Sequence, residues 1–274
     1  MNESINLLVP LRELSKYFLE CRSKAEEALE LLILSTIIFI IFNVILFYLI
    51  HNFRNVTAHP DDECMFFGPT LIALKKNQNC RIFVLCMSKG DHEKLGNVRK
   101  DELWNACRCL DIQPQDITLT HCTNLPDDPN TEWKVELLSS LILNQVEALD
   151  IDLVITFDKD GVSQHKNHQA LYYAVASLCL SGLMPSTCRI LILETVNIIR
   201  KYLSFFDVLL SLLLSTNWSI MRLHERQLIK SAMCQHISQM VWFRKLYIIF
   251  SRYMIINSLT ELNVESIEFD ILES

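Results

Sequence analysis

The sequence predicts a Rossmann-like α/β domain, a three-layer arrangement of a parallel sheet with helices on both faces, behind one N-terminal transmembrane helix. Three observations carry this. Apolar runs at residues 81–87, 152–157 and 189–195 lack the alternation of a half-exposed strand, as expected of parallel strands buried on both faces. Between them lie stretches whose apolar residues recur at helical spacing, and strands alternating with helices build a layered α/β sheet. Residues 31–50 are twenty positions without a charge, rich in Ile, Leu and Phe. At about 1.5 Å per residue, a helix of that length crosses a hydrocarbon core of roughly 30 Å.

A chain of 274 residues, 50% of them hydrophobic, fits one globular domain plus an apolar extra segment. Four parts follow: an amphipathic segment at 1–30, the membrane helix at 31–50, an α/β domain at 51–260 and an acidic end at 261–274. Leu14, Phe18, Cys21 and Ala25 set the helical spacing of the first part. A cleavable leader would bring its apolar run within the first thirty residues and end at a small-residue site, so 31–50 reads as an anchor instead. One difficulty stands at its end. A buried strand should precede residue 57, yet 51–56, His-Asn-Phe-Arg-Asn-Val, is poorly apolar. Either 47–50 is borrowed for the strand, which shortens the span, or the first strand is weak.

Residues 57–63, Thr-Ala-His-Pro-Asp-Asp-Glu, are the densest chemistry in the chain. With a sharp bend at Pro60, His59 and Asp62 can converge, and an imidazole with a carboxylate is most of a catalytic zinc shell. Apolar residues from 64 to 74 then read as a helix with Phe66, Phe67, Leu71 and Leu74 on one stripe. The strand 81–87 follows, a loop at 91–96, and a helix at 99–110 facing inward through Leu103, Ala106, Cys107 and Leu110. On that helix Arg99 and Glu102 have the spacing of an ion pair worth a few tenths of a kcal/mol. A short strand at 117–120 and a Pro- and Asp-rich loop precede a helix capped by Asn130 or Thr131 and running to Leu149. After the strand 152–157 comes Ser-Gln-His-Lys-Asn-His at 163–168, at a strand-to-helix junction. One of His165 and His168 can hold a metal while the other faces substrate. Residues 202–214 are apolar but too short to span a membrane; they cover the core as a lid, or dip into a bilayer surface. His236 reads as a satisfied histidine on a packed helix.

The two histidine motifs, together with 85–91 (Leu-Cys-Met-Ser-Lys-Gly-Asp) and 99–103 (Arg-Lys-Asp-Glu-Leu), resemble the LmbE-like family of zinc-dependent de-N-acetylases, and the likeness runs through 193–202 and 235–244. That resemblance implies zinc, or another divalent metal, on His59, Asp62 and His168, with one position left for water. Asp61 is then the general base, and a protonated His165 stabilises the oxyanion and assists amine departure. Glu63 is left as a supporting carboxylate. Asp91 and Arg99 are implied to hold sugar hydroxyls or phosphate. The eukaryotic membrane branch of the family implies an N-acetylglucosaminyl-phosphatidylinositol substrate, deacetylated in glycosylphosphatidylinositol anchor synthesis at the cytosolic face of the endoplasmic reticulum. The alternatives are a soluble N-acetyl sugar as substrate, or an inactive binding subunit. Lys159 and Gln164 depart from the small residues usual in the second motif.

A formal net charge of −7 argues against nucleic acid as a partner. Arg222, His224, Arg226 and Lys230 read as a solvated face, or as groups that meet an inositol phosphate. Ten cysteines without a Cys-x-x-Cys pair suit a reducing compartment. The acceptor sequence Asn55-Val-Thr57 abuts the metal loop, a conflict that a cytosolic domain removes.

Overall fold

The computed structural model describes residues 22, 24–42, 45, 52–77, 80–128, 131–215, 217–265 and 267. The chain forms two compact units, Met1–Leu49 and Ile50–Ser274. In the first, a helix over residues 24–42 (α1) begins with Glu26, Glu27 and Glu30 and turns apolar at Leu31. Ser35 and Thr36 turn their hydroxyls back onto the Leu32 carbonyl, at 2.8 and 2.7 Å, so the apolar part presents no unpaired hydroxyl. Among the described residues no helix is long and apolar enough to cross a membrane. Residues 43, 44 and 46–50 of the anticipated span, and 1–21 of the amphipathic segment, lie outside the described residues.

The second unit is built on one seven-stranded sheet ordered β3-β2-β1-β4-β5-β7-β6. Its strands are β1 (Asn52–Thr57), β2 (Arg81–Cys86), β3 (Ile117–Leu119), β4 (Leu153–Phe157), β5 (Arg189–Leu193), β6 (Asn217–Ile220) and β7 (Ile256–Glu261). The first five pair in parallel. β7 is antiparallel to β5 and β6, which corrects the all-parallel expectation. After β6 the chain stays at one end of the sheet, in helices α10 (Arg226–Met233) and α11 (Trp242–Phe250), so β7 must enter from that end and run backwards.

β1 resolves the difficulty at the end of the anchor: residues 52–57 are themselves a central strand. Arg54 and Asn55 made it look weak, yet both are fully buried. The Arg54 guanidinium lies over the Phe83 ring and donates to Gln145 Oε1, and burial pulls its pKa down to about 10 against the field of Asp116. Asn55 is sealed inside the sheet, so the folded unit leaves no room for a glycan on it.

Helices fill both faces: α2 (Asp62–Met65), α3 (Gly68–Lys75), α4 (Gly96–Cys109), α5 (Val135–Ala148), the short kinked α6 (Gly161–Gln164), α7 (Lys166–Leu180), α8 (Ile198–Tyr202) and α9 (Asp207–Leu214). The helix expected over 64–74 is broken at Phe66 and Phe67, where α3 starts afresh on Pro69 and passes so close to α10 that a methyl group on Gly68 would collide with Ile229. α5 starts at Val135, later than the anticipated cap. Thr131 instead bonds Asp128 at 2.9 Å and Trp133 Nε1 donates to the Pro126 carbonyl at 2.8 Å, which folds the preceding loop on itself. Asn130 lies outside the described residues.

Residues 202–214 do not cover the core. Asp207 and Ser211 are the side chains of α9 that are wholly buried, while Phe206 is 82% exposed and Leu213 76%. Asp207 pairs with Arg200 Nε at 2.7 Å and with Arg252 Nε at 2.6 Å, and Ser211 accepts from Arg252 Nη2 at 2.7 Å. Removing one member of a buried ion cluster typically costs about 3–5 kcal/mol, whereas exposed substitutions stay within about 0.5 kcal/mol. Urea unfolding in detergent should therefore show Asp207→Ala destabilised by about 3–5 kcal/mol and Leu213→Ser nearly unchanged.

Candidate metal centre and active site

The strand order reverses between β1 and β4, and in open α/β sheets ligands gather beyond the strand ends at such a switch point. Both histidine motifs leave the sheet there. The first folds around Asp62, whose Oδ2 accepts from the backbone N–H of Ala58 at 3.0 Å and of His59 at 2.9 Å. Pro60 supplies the bend, and Asp61 is driven to φ 112°, a left-handed conformation costing on the order of 1–3 kcal/mol for a residue with a Cβ. Three groups hold it there. Glu63 Oε2 accepts from the Asp61 N–H at 3.0 Å; Glu63 Oε1 meets His236 Nε2 at 2.8 Å; and Gln239 Nε2 donates to the Pro60 carbonyl at 2.9 Å. His236 is buried and satisfied as expected, but in the turn between α10 and a 3₁₀ helix at Ile237–Gln239 rather than on a helix.

The second motif is shaped by Asp158, which accepts from Thr195 Oγ1 at 2.6 Å and Gly161 N at 3.0 Å. His168, in the first turn of α7, stacks flat on Phe157 with ring centroids 3.9 Å apart. Its Nδ1 lies 3.0 Å from the Gly161 carbonyl. A carbonyl only accepts, so Nδ1 carries a proton, and in the neutral ring Nε2 presents a lone pair. That lone pair faces Asp62 Oδ1 at 3.3 Å, buried and without a hydrogen bond. With the ring neutral these are two acceptors face to face, an arrangement relieved by a positive charge, either a metal ion between them or the second proton of an imidazolium.

His59 repeats the pattern. Its Nε2 lies 3.0 Å from Asp127 Oδ1, leaving Nδ1 3.9 Å from Asp62 Oδ2. Asn167 reaches the same Nε2 at 3.0 Å, and with its amide turned its oxygen, otherwise buried without a partner, becomes a second acceptor there. In a tetrahedral shell with bonds of about 2.1 Å, donors stand roughly 3.4 Å apart. His59, Asp62 and His168, with His165 beside them, are thus the candidates to hold a divalent cation, each of the first two imidazoles offering its other N–H to an orienting acceptor. Burial alone would raise the Asp62 carboxyl, but His168 and His59 outweigh it and hold it at about 2.

His165 stands beside them, 4.6 Å ring to ring from His168 and 5.1 Å from His59. The three imidazoles offer nitrogens within 4.8 Å of one another. Burial first, then His168 and His59, pull the His165 imidazole down to about 4.

A cavity of about 360 Å³ opens over these groups, lined also by Asp61, Arg99, Asp127 and Arg244. The Asp61 carboxylate is paired with Arg244 Nη1. Arg99 does not pair with Glu102; it reaches Asp127 at 3.5 Å and Glu93 at 3.7 Å, while Glu102 accepts from the Ser238 hydroxyl at 2.6 Å. Gly90, at φ 67°, keeps clear the space where a Cβ would meet the Arg99 side chain. Asp91 is not in this wall: it is exposed, and its Oδ1 accepts from the Gly96 N–H at 2.8 Å, capping α4. Gln164 is likewise turned outward, its amide on Asp160 at 3.2 Å. Asp127 and Arg244 escaped the sequence reading. Asp127 could have been suspected as a carboxylate in a loop beyond a strand end, whereas nothing local distinguishes Arg244.

The family model described as PIG-L: GlcNAc-PI de-N-acetylase matches residues 55–179. The chain is 44% identical over 206 residues to the N-acetylglucosaminyl-phosphatidylinositol de-N-acetylase of Bos taurus, covering 74% of this chain and 81% of that protein. It is 37% identical to the probable enzyme of the same name in Schizosaccharomyces pombe, covering 73% and 82%. Among solved structures, the N,N'-diacetylchitobiose deacetylase of Pyrococcus horikoshii has the same fold, with a TM-score of 0.56 at 16% identity over 80% of this chain and 86% of that one.

Purified His59→Ala and His168→Ala should each lose bound metal, read as metal per chain by mass spectrometry. Asp127→Ala keeps the three candidate ligands but removes the acceptor that orients His59, and should bind metal about 10–100-fold more weakly in a competitive chelator titration.

Proposed function

We propose a function from one premise: the chain belongs to the GlcNAc-PI de-N-acetylase family. It removes the acetyl group from N-acetylglucosaminyl-phosphatidylinositol, giving glucosaminyl-phosphatidylinositol and acetate, a step of glycosylphosphatidylinositol anchor biosynthesis. The observation that carries this reading is the buried pair of acceptors, His168 Nε2 against Asp62 Oδ1, beside a carboxylate and an uncharged imidazole in one cavity.

His59, Asp62 and His168 would hold the metal. When bound, a divalent cation acts as a Lewis acid toward the amide carbonyl and makes a coordinated water more acidic. Asp61 takes the proton of the attacking water as the new C–O bond forms, and that proton passes to the amine nitrogen as the C–N bond breaks. Arg244 pairs with Asp61 and fixes its direction; the strained backbone puts the carboxylate over the cavity. His165, uncharged in the free site, donates a hydrogen bond to the oxygen on which negative charge develops. Arg99 and Asp127, as a donor and an acceptor on one wall, suit the hydroxyls of a sugar.

We place the enzyme in the endoplasmic reticulum membrane through residues 31–50, its catalytic unit in the cytosol. The nine cysteines among the described residues are free thiols, in keeping with a reducing compartment.

Acetate release by the purified full chain, with lipid-linked against free N-acetylglucosamine as substrate, tests the reaction; activity on the free sugar alone would overturn the substrate. Asp61→Asn should retain metal and lose about 10²–10⁴ in rate, since an amide cannot accept the proton. Ile38→Lys with Ile41→Lys, each costing an inserted helix about 2.5–3.5 kcal/mol, should release the protein from carbonate-washed membranes.

A further inference from the structure

The apolar side chains of α9 point outward, and they do not stand alone. On α11, Trp242, Phe243, Leu246, Ile249 and Phe250 form an exposed stripe at helical spacing, while Tyr247 and Ile248 face the core. Ile198, Ile199 and Tyr202 of α8 are exposed as well. These helices join: the Ser204 hydroxyl donates to the Ile249 carbonyl at 3.3 Å, and the rings of Tyr202 and Tyr247 meet at 6.5 Å. The three helices thus share one surface, in which the single acid of residues 202–214, Asp207, is turned inward.

This surface borders the active-site cavity. Val241, Phe243 and Arg244 line the cavity from the α11 side. From the α8 side, Lys201 donates to Ser163 Oγ at 2.9 Å, and Ser163 is a cavity residue. A contiguous exposed apolar face marks an interaction site, and a helix with its polar residues buried and its apolar ones in water reverses the pattern of a soluble surface helix. Trp and Tyr set among Leu, Ile and Phe are the composition of side chains that settle at the headgroup level of a membrane.

We propose that the exposed faces of α8, α9 and α11 form a bilayer-docking surface, which holds the cavity mouth at the membrane so that a glycolipid headgroup enters while its acyl chains stay in the lipid. The choice of a bilayer rests on the glycolipid substrate inferred above. With a formal charge of −7 the protein gains nothing overall from anionic lipid, so docking proceeds by apolar insertion and does not need it.

The test uses the full chain reconstituted in phosphatidylcholine vesicles. Leu213→Trp places a fluorophore on the surface, and its added emission should be quenched by brominated phosphatidylcholine and shielded from iodide. Quenching by iodide alone would mean that the face is in water, and shielding from both quenchers would mean a protein partner or a second copy; either overturns the proposal. In the second arm, Phe206→Asp with Leu213→Asp should cut kcat/KM on vesicle-borne substrate by about tenfold or more, and leave it within about twofold on a water-soluble N-acetylglucosaminyl-inositol phosphate. Equal loss on both substrates would show structural damage, and no loss on either would show an idle surface; both count against docking. If the unmodified chain hydrolyses neither substrate, the proposed reaction fails, and the quenching arm still decides where the surface lies.

Discussion

Two acceptors face each other at the centre of this molecule. His168 gives its Nδ1 proton to the Gly161 carbonyl, so in the neutral ring Nε2 offers a lone pair, and the atom it faces is a carboxylate oxygen of Asp62. Such a pair is repulsive unless a positive charge lies between, and the surroundings leave neither partner free to turn away. Phe157 stacks on the His168 ring, and two backbone N–H groups hold the other Asp62 oxygen. Both loops are therefore built to keep an unfavourable contact, a local conflict of the kind that marks functional sites. Their origin on β1 and β4, neighbours across the switch point of the sheet, brings together motifs a hundred residues apart in sequence.

The same loops store backbone strain, and distant parts of the chain restrain it. Asp61 occupies a left-handed conformation because Glu63 takes its N–H, and Glu63 is itself fixed by His236. Gln239 ties down Pro60 and Arg244 meets the Asp61 carboxylate. All three of these latter groups come from the stretch that runs from the end of α10 into the first turn of α11, which keeps that stretch at the strand ends, the end from which β7 returns antiparallel. The departure from an all-parallel sheet and the completeness of the site thus have one cause.

What could be read in advance divides along physical lines. β2, β4 and β5 are long enough and apolar enough that tertiary context had nothing to override, and the two histidine motifs concentrate ligating groups beyond chance. β1 was obscured by Arg54 and Asn55, because a buried arginine stacked on Phe83 and bonded to Gln145 looks like a surface residue until its partners are known. Asp91 was anticipated at the site and Asp127 was not, for a similar reason. Both are loop carboxylates beyond strand ends, and only the fold reveals that one caps α4 while the other reaches His59. Apolar composition in 202–214 suggested core, but composition does not tell which face of a helix has neighbours. Asp207 decided that, since a carboxylate between two arginines must be inside and so turns the leucines out.

That inversion bears on how a membrane enzyme of this kind can be assembled. On the proposed reading the chain is tethered through residues 31–50, and a tether converts any second contact with the same bilayer into an intramolecular event, at an effective concentration set by the linker rather than by the cell. Under that condition a docking surface need not bind lipid tightly by itself; a modest preference suffices to orient the cavity. Strong apolar insertion would even be a disadvantage, because the headgroup must leave after each turnover. The buried cluster of Arg200, Asp207, Ser211 and Arg252 fits such a compromise. It anchors α9 from below through ion pairs and hydrogen bonds, so the outward leucines are held in place without contributing to the core. Surface and site can then be varied separately, the one setting access to a lipid substrate and the other the chemistry performed on it.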